Sequence, residues 1–274
     1  DLDNANSNIL KAIDSKPDNE DYREYQKKLE ELKSGIKSAQ KTFDNGYLEE
    51  SIEEYNLLIK KFPYSPNPYY SLGQVYLKTD NYKMAVENFN KAIAINPYES
   101  EKYSKAIISI SQRLAKSGDG NFRVKEYDEA LRLYLEAVDY NPSFVAVLYR
   151  ITNVYQQMRD YNNAKIFAEK TLLHDPHHYK AMKSLGDLYY QLGDINSSIN
   201  FYNKSINTNP QYYKSYYSLS KVLNEQGDSS AAISNLEKAL SIKPKYDKAY
   251  ILLGVIYSDN SKYEEAIYNF NKAI

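Results

Sequence analysis

Six prolines set the first constraint. Pro63, Pro97, Pro142, Pro176, Pro210 and Pro244 follow one another at steps of 34, 45, 34, 34 and 34 residues. Three glycines keep the same rule: Gly186 and Gly254 are two steps of 34 apart, and Gly73 and Gly186 three such steps plus 11. Both series place the surplus 11 between Pro97 and Pro142. Two residue types with unrelated chemistry therefore report one period, and a period of this size means a stack of supersecondary units rather than one closed core.

Each period reads as two helices. Tyr69, Leu72, Gly73 and Tyr76 follow the i, i+3, i+4, i+7 rule of one buried face, and Ala85, Phe89, Ala92 and Ile93 follow it on a second segment. Gly193-Asp194 and Gly227-Asp228 end a first helix and offer an Asp to cap the second. The recurrent proline stops the second helix, because it cannot extend the hydrogen-bond ladder. A mid-helix glycine is unfavourable by about 1 kcal/mol relative to alanine, so Gly73, Gly186 and Gly254 need a packing reason. The expectation is that they face alanines such as Ala85 and Ala92, small against small. No G-x-G-x-x-G or G-K-[ST] pattern makes them phosphate loops.

In this register the chain resembles the tetratricopeptide repeat family. The family's bulky residue, Leu-Gly, Tyr, Ala, aromatic, Ala and Pro are read here as Tyr69, Leu72, Gly73, Tyr76, Ala85, Phe89, Ala92 and Pro97. Residues 179–212 give Met182, Leu185, Gly186, Tyr189, Ser198, Tyr202, Ser205 and Pro210, and residues 247–274 give Tyr250, Leu253, Gly254, Tyr257, Ala266, Phe270 and Ala273. Thr152 and Ser220 replace the glycine in 145–178 and 213–246. The resemblance implies an all-α, right-handed superhelix (an α-solenoid) of antiparallel helix pairs. Within it, Gly73, Gly186, Gly254, Ala85, Ala92, Pro97, Pro142, Pro176, Pro210 and Pro244 are the structural packing residues.

The expected division is a single solenoid over 1–274. Residues 1–17 form a half unit or a capping helix, since "SNILKAIDSKP" at 7–17 parallels "SNLEKALSIKP" at 234–244. A lengthened, degenerate unit spans 20–65, with its extra length in a charged helix. Then come 66–99, a unit 100–144 carrying an insertion of about 11 residues, 145–178, 179–212, 213–246 and a truncated 247–274. The insertion falls near "RLAKSGDGNFRVKEY", where Gly118-Asp119-Gly120-Asn121 is expected to be a loop. "NFNKAI" occurs at 88–93 and again at 269–274, so a longer parent chain is expected.

Composition narrows the function. Lys and Arg number 35 against 36 Asp and Glu, a net charge of −1 that leaves no electrostatic footprint for nucleic acid. No apolar run approaches the ~20 residues that span a bilayer. Cysteine is absent, which removes disulfides and thiolate chemistry and suits a bacterial cell envelope or periplasm, with the cytoplasm as the alternative. All three histidines lie in "HDPHH" (His174, His177, His178), where Pro176 interrupts any helical metal spacing and a surface loop is expected. No second histidine cluster exists to serve as a catalytic base. The expectation is no enzyme activity, no metal and no cofactor.

What remains is surface. In the family resembled, the first helix of each pair lines a concave groove. The residues one step off the packed stripe are Tyr70, Gln74, Tyr149, Asn153, Gln156, Gln157, Lys183, Asp187, Tyr190, Tyr217, Lys221 and Asn224, each either a groove residue or a bridge between units. Aromatic rings and amides suit a protein or peptide segment. The family's chaperone-tail clamp is not reproduced, because Tyr149 precedes Asn153 where lysine would stand, and Ser184 and Ser218 replace arginine. The expected function is a non-enzymatic protein–protein interaction scaffold. Two alternatives stay open: a self-associating, homo-oligomeric structural component of a bacterial envelope complex, and a glycan-binding module with a tyrosine-lined groove.

Overall fold

Seven helices stop two residues before a proline. α1 (Leu2–Ser15), α3 (Leu48–Lys61), α5 (Tyr82–Ile95), α7 (Tyr127–Tyr140), α9 (Tyr161–His174), α11 (Ile195–Thr208) and α13 (Ser229–Ile242) end ahead of Pro17, Pro63, Pro97, Pro142, Pro176, Pro210 and Pro244. Between them lie α2 (Glu20–Asp44), α4 (Pro66–Lys78), α6 (Ser100–Arg123), α8 (Val145–Gln157), α10 (Tyr179–Gln191), α12 (Tyr213–Glu225) and α14 (Asp247–Asp259), and α15 (Tyr263–Ala273) follows. The computed structural model describes residues 2–274, and among them there is no strand. The prolines after α5, α7, α9, α11 and α13 are exposed or only half-buried. They act as stops, and the expectation that they pack is corrected.

Two units divide the chain, residues 2–113 and residues 114–274, with the division inside α6. In the first unit α2 packs on α3 and α4 on α5. In the second, α8 packs on α9, α10 on α11, α12 on α13 and α14 on α15, and each pair also touches the next. Every one of these cores is built from a few apolar side chains per pair, such as Ala164, Ala168, Leu185 and Leu188 between α9 and α10. The architecture is all-α and built by stacking, so a broad face of each helix is left for solvent or a partner.

The glycines explain the pairing, with one correction. A Cβ on Gly73 would lie 2.5 Å from Cε1 of Phe89, and one on Gly254 would lie 2.5 Å from Cε1 of Phe270. The glycine therefore makes room for the aromatic ring of the second helix, not for alanines. Ala85 and Ala92 are fully buried on the same helix, but they flank the ring. Burying a ring of this size gains about 1.5–3 kcal/mol, more than the mid-helix glycine loses.

The same device overturns the expected loop. Gly118, Asp119, Gly120 and Asn121 lie inside α6, where a Cβ on Gly118 would meet Tyr134 at 2.6 Å. α6 is 24 residues long and α4 only 13, so the whole 11-residue surplus extends a first helix. α2, at 25 residues, is lengthened in the same way. Turns with the expected chemistry stand elsewhere. Gly193 and Gly227 take φ of +83° and +87°, and Asp194 and Asp228 accept from the Ser197 and Ala231 backbone N–H groups at 3.0 and 2.9 Å.

Candidate functional site

The first helices α8, α10 and α12 of the second unit converge on a recess of about 420 Å³. Its walls include Gln156, Gln157, Asp187, Tyr190, Tyr217 and Lys221, half of the expected groove set, together with Gln191. They converge because the 34-residue period returns the same helical face in each successive unit.

Hydrogen bonding sorts these side chains. Asp187 Oδ1 accepts from the Tyr202 hydroxyl at 2.9 Å and Oδ2 from Lys183 Nζ at 2.5 Å. Burial, followed by Asp187, pushes the Tyr202 phenol well above its ordinary range. Asp187 and Lys183 thus form a finished pair that ties α10 to α11. Tyr190 donates to Glu225 Oε2 at 2.6 Å, and Lys221 Nζ sits 5.0 Å from the centre of the Tyr190 ring. Gln156, Gln157 and Gln191 have no side-chain hydrogen bond among the described residues and turn free donors and acceptors to the recess.

Other expected groove residues are bridges. The Tyr149 ring packs 4.8 Å from His178, and its hydroxyl stands 3.5 Å from Ser184 Oγ, with Asn153 beside it. Burial raises the Tyr149 phenol. Tyr217 packs edge-on against Tyr246 at 5.3 Å, and Asn224 Oδ1 accepts from Ser229 Oγ at 3.3 Å. Tyr70 and Gln74 lie on α4 in the first unit and are not among the residues that line this recess. There the Tyr70 ring touches Phe89 and Tyr103 at 5.6 and 5.3 Å, with Lys102 Nζ 4.3 Å above it.

The histidines are not a simple surface loop. His178 is the N-cap of α10: its Nδ1 accepts from the Ala181 N–H at 3.1 Å, and burial lowers its pKa below the usual value. His174 ends α9, and His177 is exposed between them.

Two exposed residues on this face are missing from the expected set, Ile251 and Val255 of α14. They stand 34 residues after Tyr217 and Lys221, so the period alone signals them.

Tetratricopeptide repeat family models match residues 66–99, 179–212, 213–246 and 235–268. No curated protein sequence matches the chain. Among solved structures, a crystal structure of MamA is 28% identical, with a TM-score of 0.51, over 57% of this chain and 91% of its own. Another crystal structure of MamA protein is 26% identical, with a TM-score of 0.52, over 60% and 89%. A thermophilic TPR protein in Thermus thermophilus, TTC0263, is 20% identical, with a TM-score of 0.52, over 60% and 89%.

Proposed function

From a chain that carries tetratricopeptide repeats, we propose a non-enzymatic protein-binding module that holds a protein or peptide segment against the first helices of its second unit. The observation that carries this reading is the recess on α8, α10 and α12, where three glutamine amides are unspent beside the Tyr190 ring. Side-chain amides pair with both the N–H and the C=O of a peptide backbone, and a tyrosine adds contact area at small entropic loss.

A second reading, assembly through the second helices, has its own support. Leu173 is 77% exposed beside a recess of about 380 Å³ lined by Leu135, Val138 and Phe167. The sugar-stacking alternative is weaker, because the Tyr149 and Tyr217 rings are packed against His178 and Tyr246.

The test is selection of peptides from a random displayed library on the intact 274-residue chain. Selected peptides are expected to compete for one site and to weaken at least tenfold with Tyr190→Ala or the Gln157→Ala/Gln191→Ala pair. Peptides that ignore both changes but lose binding with Leu173→Asp would reject the groove in favour of the second helices.

A further inference from the structure

We infer that Asn45, in the turn between α2 and α3, is a site of spontaneous deamidation that the native turn holds back. Each opening of that turn releases it, so the first unit keeps a covalent record of its own local unfolding. The site is independent of the recess on α8, α10 and α12.

The chemistry needs only this chain and water. Asn45-Gly46 is the one Asn-Gly pair in the sequence. An asparagine side chain can be attacked by the backbone nitrogen of the next residue, and glycine offers that nitrogen without a side chain to shield it. The Gly46 nitrogen, once it has lost its proton, adds to Cγ of Asn45. The bond from Cγ to Nδ2 breaks, ammonia leaves, and a five-membered succinimide ring remains. Water then opens the ring at either carbonyl and gives aspartate or isoaspartate.

Access is open on both sides of the new bond. Asn45 and Gly46 are exposed, and the Asn45 amide has no side-chain hydrogen bond among the described residues. A Cβ at Gly46 would meet nothing within 4 Å.

Conformation closes what access opens. Asn45 is the C-cap of α2 with ψ of −6°, and Gly46 takes φ of +89°. At that ψ the Gly46 nitrogen is rotated well away from Cβ of Asn45, whereas a five-membered ring needs the two nearly eclipsed. The Gly46 N–H also donates to the Phe43 carbonyl at 2.9 Å, and the Tyr47 N–H to the Thr42 carbonyl at 3.1 Å. Turning ψ of Asn45 breaks these helix-ending bonds, so reaction waits for a local opening.

The repeat supplies its own controls. Gln226 and Asn260 are C-caps with ψ of 0° and 15°, followed by Gly227 and Ser261 at φ of +87° and +60°. Gly227 and Ser261 donate to carbonyls three residues back, each at 2.9 Å, as Gly46 does. Gln226-Gly227 keeps the glycine but would have to close a six-membered ring. Asn260-Ser261 keeps the asparagine but puts a side chain on the attacking residue.

The product loosens the joint that slowed it. Either form adds a carboxylate beside Asp44 at the C-terminal end of α2, where the helix dipole favours cations. Isoaspartate also routes the main chain through the side-chain carbon, which lengthens the turn and draws Tyr47 N–H off the Thr42 carbonyl.

The experiment incubates the intact chain in mildly alkaline buffer, native and in concentrated urea, and follows each site by peptide mass mapping. In urea Asn45 is expected to convert first, ahead of Asn260 and Gln226. In the native protein its rate should be at least tenfold lower. Tyr55 of α3 is fully buried in the core that holds α3 on α2. Tyr55→Ala should therefore raise the native rate at Asn45 at least threefold and leave Asn260 unchanged. Aged native protein should melt at a lower temperature than fresh protein, and Asn45→Gln should remove that difference.

Conversion of Asn260 before Asn45 in urea overturns the inference, as does an equal rate at Asn45 in the native and unfolded chain. So does an unchanged native rate in a Tyr55→Ala protein whose melting temperature has fallen. The comparison between native protein and urea uses no variant, so it stands even where Tyr55→Ala fails to fold.

Discussion

A Cβ added to Gly186 would lie 2.5 Å from both Cδ1 and Cε1 of Tyr202, sixteen residues further along the chain. The same offset joins Gly73 to Phe89, Gly118 to Tyr134 and Gly254 to Phe270. Two units fill the same offset differently: Ser220 answers Leu236, and Thr152 answers Ala168, while Ala39 still faces the full Tyr55 ring, all six buried. The space between the paired helices is divided in different proportions from unit to unit.

This division can be measured. Gly186→Ala forces the Tyr202 ring to move and is expected to destabilise by about 1–3 kcal/mol. Tyr202→Ala opens a cavity and is expected to cost about 3–5 kcal/mol. Gly186→Thr with Tyr202→Ala copies the Thr152/Ala168 solution, so the pair should be more stable than the sum of its single changes by about 0.5–3 kcal/mol. Urea denaturation of the parent, both single variants and the double variant gives the coupling. Strict additivity would dismiss the shared volume.

The ring position also carries a hydroxyl rule. The Tyr134 and Tyr202 hydroxyls donate to Asp119 and Asp187 at 2.7 and 2.9 Å, and the Tyr55 hydroxyl donates to Gln40 at 3.3 Å. Each acceptor directly follows the small residue beneath the ring. Tyr202→Phe should therefore cost about 1 kcal/mol. Phe89→Tyr should be nearly neutral, because Gln74 stands ready after Gly73 as Gln40 does after Ala39. Denaturation midpoints decide, and a destabilised Phe89→Tyr would break the rule.

These pairs also show where sequence reasoning reaches and where it stops. Helix ends were legible because proline and the Gly-Asp turns act within a few residues of themselves. Local turn propensity reads Gly118-Asp119-Gly120-Asn121 as a loop, but the sixteen-residue step from Gly118 to Tyr134 places it in a helix, and tertiary packing prevails. The groove was legible as a face, which the period fixes. Which side chains stay free on it was not. Tyr149 and Tyr217 occupy groove register, yet His178 and Tyr246, the residues that lead into the next first helices α10 and α14, capture their rings. That capture depends on a contact with the start of the next first helix that periodicity alone does not supply.

The turn between paired helices offers a gain in stability. Gly193 and Gly227 stand 34 residues apart at φ of +83° and +87°, and one step to either side Arg159 and Ser261 are held at φ of +60°. A non-glycine residue in this left-handed region is unfavourable by about 1–2 kcal/mol. Part of that is recovered through the smaller unfolded-state entropy of a residue with a side chain. Arg159→Gly and Ser261→Gly should each raise stability by up to about 1 kcal/mol, and Gly193→Ala should lower it by a similar amount. Thermal melting of the three variants checks the sign, and an Arg159→Gly protein that melts lower would contradict the account.

His178 makes stability depend on pH, and the direction can be derived. Its Nδ1 must be unprotonated to accept from the Ala181 N–H, and burial beside Tyr149 disfavours the charged ring, with Asp175 opposing that shift and Lys180 adding to it. The folded state therefore takes up a proton at lower pH than the unfolded chain, whose histidine titrates near ~6.5. Above that value the cap is intact and its stabilisation complete. As pH falls through it, the unfolded state binds the proton first and stability is lost until the folded histidine titrates too. Asparagine also caps helices well and does not titrate, so His178→Asn separates this histidine from the acidic residues that titrate at lower pH. The melting temperature of the natural protein should exceed that of His178→Asn by most at about pH 7.5, and the gap should narrow toward about pH 5.5. A gap that stays constant across that range would mean that the ring packs on Tyr149 without its protonation entering the folding balance.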